Sequence, residues 1–200
     1  MNIKPNIRYL FDLKDVLYDQ KWLSSAKNQE LYYMYRGVET ENALFQETDL
    51  RYDITEIPYQ ELGQEFIKTL GHYHFDSFGE LYQILEGEVI FLCQKRNNLI
   101  GAEIEDVFYT TVKKNEYILL PPYYGHIMIN AGKTTLKTCN WVSKQCRSDY
   151  NNIKNFKGGC YFYTLNGWIK NNNYKIVPEL REQASLKEKP KNLDYLYGKL

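Results

Sequence analysis

Short apolar and aromatic runs, separated by turn-forming residues, fill the middle of the chain from about residue 50 to 165. They are RYDITEI, FIKTLGHYH, ELYQILEG, EVIFLCQ, VFYTTV, EYILLPP, HIMIN and TLKTCNWV. β-Branched and aromatic residues dominate these runs and no long helical period interrupts them, which predicts short strands. Many short strands of the antiparallel type are typical of a sandwich or barrel. The predicted fold class is therefore all-β.

The stretch before residue 50 has a mixed pattern. The apolar spacing in DLKDVLYDQK, residues 12–21, predicts a short helix that Asp12 caps. LYYMYRGV, residues 31–38, is rich in aromatic residues and predicts a strand. The N-terminal flank is thus expected to add one short helix and one strand to the barrel.

The stretch after residue 165 is mostly polar. Asn166-Gly167 predicts a hairpin turn between GCYFYTL and WIK. The final residues, REQASLKEKPKNLDYLYGKL, predict a loose helix or a polar tail. A chain of 200 residues is long enough for one domain with a real core, so we expect a single domain over 1–200 with its barrel core at about 50–165.

Charge and cysteine usage narrow the possible partners and compartment. The 25 basic and 25 acidic residues give a formal net charge of zero, so no basic field favours nucleic acid. The N-terminus contains acidic residues and no long apolar run, which argues against a signal peptide and a membrane span. The spacing of Cys93, Cys139, Cys146 and Cys160 matches no CxxC metal pattern. Free thiols in a reducing cytoplasm are the expectation.

The histidines are the first candidates for chemistry. The chain has three, and two of them, His72 and His74, are separated by one residue. Residues i and i+2 of a strand share a face, so both imidazoles are expected on one side. Glu80 and Tyr82 share a face of the next predicted strand, and His126 lies on a later one. Inside a barrel these faces can converge.

Three imidazole nitrogens and one carboxylate oxygen would form a set of ligands for a divalent metal with open coordination positions. A single histidine is usually a core or surface residue. Here a His-x-His pair, a following Glu80 and His126 in a distinctive turn together favour a metal site.

That turn, PPYYGHIMIN at 121–130, completes a resemblance to the cupins. The residues that resemble the first cupin motif are His72, His74, Glu80 and Gly87, and those that resemble the second are Pro121, His126 and Asn130. Two positions depart from the pattern. Tyr123 replaces the usual Gly between the proline and the histidine, and Asn115 replaces the Gly that opens the second motif. Asn tolerates a left-handed backbone better than most residues.

Within the cupins, the chain resembles the cupin-type glucose-6-phosphate isomerases over about residues 31–150. The matching residues are Thr55 at the end of RYDIT, Thr69, Gly71, His72, His74, Glu80, Tyr82, Pro121, Pro122, Tyr123, His126 and Asn130. The resemblance implies a double-stranded β-helix, that is, an antiparallel jelly-roll barrel. It also implies interconversion of glucose 6-phosphate and fructose 6-phosphate, or of a related phosphosugar pair.

The resemblance further implies roles for individual residues. One divalent metal would be held by His72, His74, Glu80 and His126. Glu80 would also transfer the proton between the two sugar carbons. The substrate and its phosphate would be bound by Thr55, Thr69, Gly71, Tyr82 and Tyr150. The same donors accept Fe(II), Mn(II), Ni(II) or Zn(II), and the first two are favoured.

Residues 139–150, CNWVSKQCRSDY, depart most from the family. This segment retains Asp149-Tyr150 but lacks the upstream Pro, Gly and His. The identity of the sugar therefore stays open. Lys144 and Arg147 either supply phosphate charge or are solvated side chains, and the second reading is favoured.

Two other functional classes could share the same metal ligands. One is an Fe(II) dioxygenase and the other is a metal- or sugar-binding cupin without turnover. A dioxygenase needs a mostly apolar pocket, whereas the hydroxyls of Thr55 and Thr69 and the N–H of Gly71 suit a phosphate. These donors favour the isomerase. A homodimer is expected, with the aromatic strand 31–35 as the candidate contact, because small cupins often pair through sheet edges.

Overall fold

The computed structural model describes residues 3–38 and 49–198, and strands dominate this part of the chain. In chain order the strands are β1 (Asn6–Tyr9), β2 (Glu30–Tyr35), β3 (Leu50–Ile57), β4 (Glu61–Leu62), β5 (Glu65–Phe66), β6 (Tyr73–His74), β7 (Glu80–Glu86), β8 (Glu88–Arg96), β9 (Ile104–Lys113), β10 (Tyr117–Leu120), β11 (Tyr124–Ile129), β12 (Leu136–Ser143), β13 (Ser148–Asp149), β14 (Tyr161–Thr164), β15 (Gly167–Lys170) and β16 (Arg181–Glu182). The described helices are α1 (Gln20–Leu23) and α2 (Asn151–Asn155), with 3-10 turns at Leu10–Leu13 and Asp194–Tyr197. The all-β prediction is confirmed.

Two mainly antiparallel sheets form the jelly roll, and β13-β6 and β15-β14-β5-β4 form two further sheets among the described residues. One sheet has the order β1-β2-β3-β12-β7-β10 and the other has the order β11-β8-β9-β16, in which β16 pairs parallel with β9. A single cluster of buried residues contains Tyr82 and Ile84 of the first sheet together with Phe91 and Met128 of the second. The sheets are not closed into a continuous barrel, and their arrangement is that of a jelly roll. The predicted cupin fold is confirmed.

The first sheet explains how distant residues reach one wall. Strand β12 lies between β3 and β7, so that Asn140 is opposite Asp53 on one side and opposite Tyr82 on the other. Thr138 is opposite Thr55 in the same register. Because side chains alternate along a strand, these positions share the inner face of the sheet. Buried polar side chains therefore meet where an ordinary core would be apolar.

The predicted strand at FIKTLGHYH is broken into short pieces. Strand β5 ends at Phe66 and β6 begins at Tyr73, with an isolated bridge between His72 and His126. Gly71 lies in the gap between these two strands and has a left-handed φ of +80°. A Cβ at this position would lie 2.4 Å from Ile127 Cγ1, so a side chain does not fit there. The two histidines still face the same side, as alternation predicts.

Both departures from the cupin pattern fall at unusual backbone conformations. Asn115 has a φ of +69° and Tyr123 a φ of +70°. These are left-handed values, which glycine adopts without the steric cost that other residues pay. Asn115 and Tyr123 therefore adopt the left-handed backbone conformation that glycine favours at such positions.

The N-terminal flank differs from its prediction. No helix covers residues 12–21, because the chain makes a 3-10 turn at Leu10–Leu13 and α1 begins at Gln20. The Asp12 carboxylate accepts the backbone N–H of Tyr9 at 2.9 Å, and the Asp19 carboxylate caps α1. Two aspartates that bond nearby backbone groups favour separate turns over one continuous helix.

Strand β2 agrees with the predicted strand at 31–38. Its position in the sheet does not agree with the prediction that residues 31–35 form the edge that contacts a second subunit. It lies between β1 and β3, so residues 31–35 do not form a sheet edge. The edge on this side is β1.

The C-terminal flank packs against the sheets. The predicted hairpin is confirmed as β14 and β15, although the turn residues are Leu165 and Asn166 and Gly167 begins the second strand. The final segment is neither a loose helix nor a free tail, because β16 joins a sheet and Leu196 is buried in a cluster with Leu81. Among the described residues, no helix has the length and apolar character that crossing a membrane requires.

Candidate metal centre

Four side chains from separate elements converge inside the jelly roll. His74 comes from β6, Glu80 from the start of β7 and His126 from β11, while His72 belongs to the bridge that joins it to β11. One ligand atom from each of the four lies within 4.8 Å of the others. All four residues predicted as metal ligands are therefore brought together.

Glu80 is at the centre of this group. Its Oε2 atom lies 3.4 Å from Nε2 of His74 and 3.4 Å from Nε2 of His126. The ring of His72 completes the cluster, with its centroid 4.4 Å from that of His126. The three nitrogens and the carboxylate oxygen thus surround a common point.

The donor set fits a divalent metal ion. Glu80 Oε2 is buried and has no hydrogen-bond partner. A buried carboxylate oxygen without a donor is costly, because its desolvation is not compensated. Three neutral imidazoles and one carboxylate are the ligands that Fe(II), Mn(II), Ni(II) and Zn(II) accept. A cation at this point would satisfy the orphaned oxygen.

Hydrogen bonds orient two of these residues. His74 Nδ1 donates to the backbone carbonyl of Phe78 at 2.8 Å, which leaves Nε2 directed at the centre. Asn140 Nδ2 donates to Glu80 Oε1 at 2.6 Å, which leaves Oε2 directed at the same point. Such supporting bonds fix the orientation and tautomer of metal ligands.

The protonation states follow from burial and from the neighbouring charges. Burial lowers the pKa of His126 to about 4, and burial together with the nearby imidazoles lowers the pKa of His72 well below its usual value. Burial also opposes the charge on His74, but hydrogen bonds to Cys146 and Glu80 outweigh it and raise the pKa of His74 to about 10. Burial raises the pKa of Glu80. The hydrogen bond to His74 and the electrostatic interaction with His126 outweigh burial, so the pKa of Glu80 is lowered. Without a metal ion, a protonated His74 at 3.4 Å partly compensates the charge of Glu80, and a metal ion bound by both would displace the proton of His74.

A cavity adjoins the centre. Its wall includes two of the metal-ligand candidates, His72 and His126, and every residue predicted to bind substrate, namely Thr55, Thr69, Gly71, Tyr82 and Tyr150. The cavity volume is about 50 Å³. Ligand pockets usually measure about 300–1,000 Å³, so a phosphosugar requires this wall to open.

The predicted substrate residues have different neighbours in the cavity wall. The hydroxyl of Tyr82 lies 3.3 Å from Nε2 of His126, which places Tyr82 beside the metal ligands. Thr69 lies on the bridged segment, where its Oγ1 accepts the backbone N–H of Met128 at 3.0 Å. Thr55 is buried on β3. Tyr82 is thus nearer to the reacting end than to a phosphate end.

Tyr150 is held over the centre by its neighbours. Its ring centroid lies 5.4 Å from that of His72. The preceding Asp149 accepts Arg96 Nη1 at 3.2 Å and the backbone N–H of Asn151 at 3.0 Å. This explains why the Asp-Tyr pair can persist while the rest of residues 139–150 diverges.

Sequence reasoning missed several residues that touch the site, among them Asn140 and Arg36. Asn140 bonds Glu80, and Arg36 lines the cavity. The alternation of polar residues in TLKTCNWV could have indicated Asn140, since Thr138 and Asn140 share a face. Lys144 and Arg147 are exposed and are not part of the cavity wall, in keeping with solvated side chains.

The jelly roll and its buried cluster of three histidines and one glutamate define a cupin with a site that could hold a metal ion. The model of the family described as Glucose-6-phosphate isomerase (GPI) matches residues 7–179, and the chain belongs to this family. The resemblance inferred from the motifs is confirmed.

Individual proteins that are similar to this chain have low sequence identity to it. The glucose-6-phosphate isomerase of Thermococcus litoralis is 27% identical over 134 residues, which cover 66% of this chain and 65% of that protein. Among solved structures, the vicilin of Corylus avellana (hazelnut) has a TM-score of 0.45 at 13% identity and matches 62% of this chain and 33% of its own. The Bacillus subtilis oxalate decarboxylase with Mn(II) centres has a TM-score of 0.42 at 13% identity and matches 60% of this chain and 28% of its own.

Proposed function

We propose that this protein is a metal-dependent aldose–ketose isomerase, which interconverts glucose 6-phosphate and fructose 6-phosphate or a closely related phosphosugar pair. Membership of the isomerase family supports this proposal. The observation that carries it is one cavity whose wall contains two metal-ligand candidates, His72 and His126, together with the hydroxyl donors Thr55, Thr69 and Tyr150. Once its wall opens, such a site can place the reacting carbons of one molecule beside the candidate ligands and its phosphate beside hydroxyl donors.

Glu80 is the base in this proposal. Isomerisation moves a proton between C1 and C2 of the open-chain sugar, and a carboxylate can carry it. Asn140 Nδ2 donates to Oε1 and orients the carboxylate, and the lowered pKa of Glu80 keeps the group ionised at neutral pH. Glu80 can therefore take the proton from one carbon and return it to the other.

Neighbouring residues stabilise the charge that develops on the sugar oxygens. When bound, a divalent ion supplies Lewis-acid polarisation of these oxygens. Tyr82, whose hydroxyl lies 3.3 Å from His126 Nε2, can donate a hydrogen bond to an oxygen held beside the ligands. In this proposal Thr55, Thr69, Gly71 and Tyr150 of the cavity wall bind the phosphate.

We further propose Fe(II) or Mn(II) as the ion in the cell, since both suit imidazole and carboxylate ligands. The protein acts as a single cupin domain in the cytoplasm. It forms a homodimer through the β1 edge, because this strand leaves one row of backbone groups unpaired among the described residues. A mass measurement in solution at micromolar concentration tests the dimer, and a strictly monomeric mass contradicts it.

The activity is tested by removing all metal and restoring Fe(II), Mn(II), Ni(II) or Zn(II) in turn. Each form is then assayed with glucose 6-phosphate, fructose 6-phosphate and a panel of pentose phosphates. We expect isomerisation by at least one metal form and none by the metal-free protein. Absence of activity on every hexose and pentose phosphate, with stoichiometric metal bound, would defeat the proposal and leave a dioxygenase or a binding protein.

A further inference from the structure

The cavity wall carries one permanent charge among its described residues, and this charge belongs to Arg36. The other side chains of the wall are tyrosine, threonine, methionine and histidine. A phosphate monoester is close to a dianion at neutral pH. Hydroxyl and amide donors alone would leave that charge without a cationic partner in a poorly solvated site.

A buried carboxylate holds Arg36 in place. Asp53 is 3% exposed, and its Oδ2 atom accepts Arg36 Nη1 at 3.1 Å and Arg51 Nε at 2.8 Å. Its Oδ1 atom accepts the backbone N–H of Gly37 at 2.8 Å. The guanidinium of Arg36 is thus fixed at both its side chain and the backbone that follows it.

Arg36 and Arg51 share one carboxylate, that of Asp53. Glu80 also acts electrostatically on Arg51, whereas Arg36 has no second acidic partner among the described residues. Asp53 would be satisfied by Arg51 and the N–H of Gly37 alone. A purely structural role therefore leaves the second arginine unexplained.

Among the described residues, Arg36 also keeps donors without a strong partner. Of its five N–H groups, Nη1 provides the one that reaches Asp53, while Nη2 contacts the sulfur of Met34 at 3.6 Å. A thioether is a weak acceptor, and the side chain of Arg36 is 38% exposed. Guanidinium matches the geometry of phosphate oxygens and can bond two of them at once.

We infer that Arg36 binds the phosphate group of the substrate, and that Asp53 is the positioning residue that aims it. This inference rests on the proposed isomerase function. It assigns the preference for phosphorylated over unphosphorylated sugars to one ion pair at the cavity wall.

The test replaces Arg36 with methionine, which keeps the aliphatic stem and removes the charge. Asp53 retains Arg51 and Gly37 as partners, so R36M is expected to fold. Loss of a charge-assisted hydrogen bond costs about 1.5–3 kcal/mol, so KM for the phosphosugar should rise on the order of 10- to 100-fold. The value of kcat should stay within about threefold, because the phosphate is held alike in the ground and transition states. R36K should restore part of the affinity.

The matched control is R181M. Arg181 Nη2 forms a similar ion pair with Asp106 Oδ2 at 2.7 Å, but it lies on β16 and is not part of the cavity wall. KM should be unchanged in this variant. An equal rise in KM for R181M and R36M would overturn the inference, as would a fall in kcat with unchanged KM in R36M.

Binding of inorganic phosphate separates this inference from the proposed function, because it needs no turnover. Isothermal titration of the metal-loaded protein should give a dissociation constant that rises at least about tenfold in R36M and is unchanged in R181M. If the wild type isomerises no sugar but this difference is found, the proposed function fails and the role of Arg36 stands. If R36M binds phosphate as the wild type does, the role fails whatever the activity.

The positioning role of Asp53 is tested in a double-mutant cycle. D53N should raise KM in the wild-type background, because Arg36 is no longer aimed. It should have no further effect on KM in the R36M background, since the two residues act through one contact. Additive effects on KM would show that Asp53 acts independently of Arg36 and would overturn the assignment.

Discussion

The two sheets of the jelly roll present opposite inner walls to each other. On β3, β7 and β12, the buried inner positions include polar and charged residues: Asp53, Thr55, Glu80, Thr138 and Asn140. On β8 and β9, the buried inner positions of the main core are mainly apolar: Val89, Phe91, Cys93, Phe108 and Val112. The side chains are buried on both walls. The walls differ in whether the buried side chains are polar or apolar.

Burying a polar group costs free energy unless a partner compensates it. The polar wall meets this condition in pairs: Asp53 has two arginines, and Asn140 has Glu80. Its remaining orphan, Glu80 Oε2, lies at the proposed metal centre. The comparison teaches that β3, β7 and β12 supply most of the buried polar groups around Glu80, with His126 added from β11, whereas β8 and β9 mainly supply packing. Substitutions on the two walls should therefore fail in different ways.

The largest effect is expected when two ligands are lost together. Replacing His72 and His74 with alanine removes half of the four donors, so metal uptake should be abolished. Metal content per protein, measured by elemental analysis, checks this. The control is Y73F, because Tyr73 lies between the two histidines and points away from the centre toward Gln94. Stoichiometric metal in the double variant would refute the ligand assignment.

The next effect concerns the proposed base. E80Q keeps the size of the side chain and removes its ability to take a proton, and general base catalysis contributes about 10²–10⁴-fold. We expect kcat to fall by about this factor and KM to change far less, because the carboxylate acts mainly in the transition state. Rates are compared per bound metal ion, since Glu80 is also a ligand. A kcat near the wild-type value contradicts the assignment.

A substitution on the apolar wall should instead reduce stability. Phe91 is fully buried in the main core. F91A should lower the free energy of unfolding by about 3–5 kcal/mol through lost burial and the cavity left behind. Denaturant unfolding measures this. For the fraction that remains folded, KM should match the wild type, and a selective loss of substrate affinity would break the distinction between the walls.

The smallest effect is expected at the phosphate end. T69V removes one hydroxyl from the cavity wall, and KM should rise by about 5- to 15-fold with little change in kcat, as one neutral hydrogen bond is worth about 1 kcal/mol or slightly more. T110V is the matched control on the other sheet, because Thr110 is buried on β9 and its Oγ1 has no hydrogen-bond partner. Steady-state kinetics of both variants decide the point. A similar KM change in both would count against a phosphate role for Thr69.

Features that depend on neighbouring residues were predicted more often than features that depend on residues far apart in the chain. The shared face of the candidate ligands His72 and His74 was predicted because alternation along a strand is a local property. The helix at 12–21 was wrong although the signal was local, because Asp12 and Asp19 each bond a backbone N–H only three residues away and so favour two separate turns. Arg36 and Asn140 were missed because their partners lie 17 and 60 residues away.

The sequence by itself determined the all-β class, the family motifs and the residue types that can hold a metal ion. These follow from side-chain alternation, turn-forming residues and spacing, which act over a few neighbouring positions. The tertiary structure alone decided which carboxylate oxygen is left unpaired, that β2 is not an edge, and that Arg36 and Asp53 meet at the cavity. Strand register brings distant segments together, and a shift of one residue would turn every side chain to the opposite face. The chemistry of this wall is therefore set by pairings between β3, β7 and β12, which no short stretch of sequence contains.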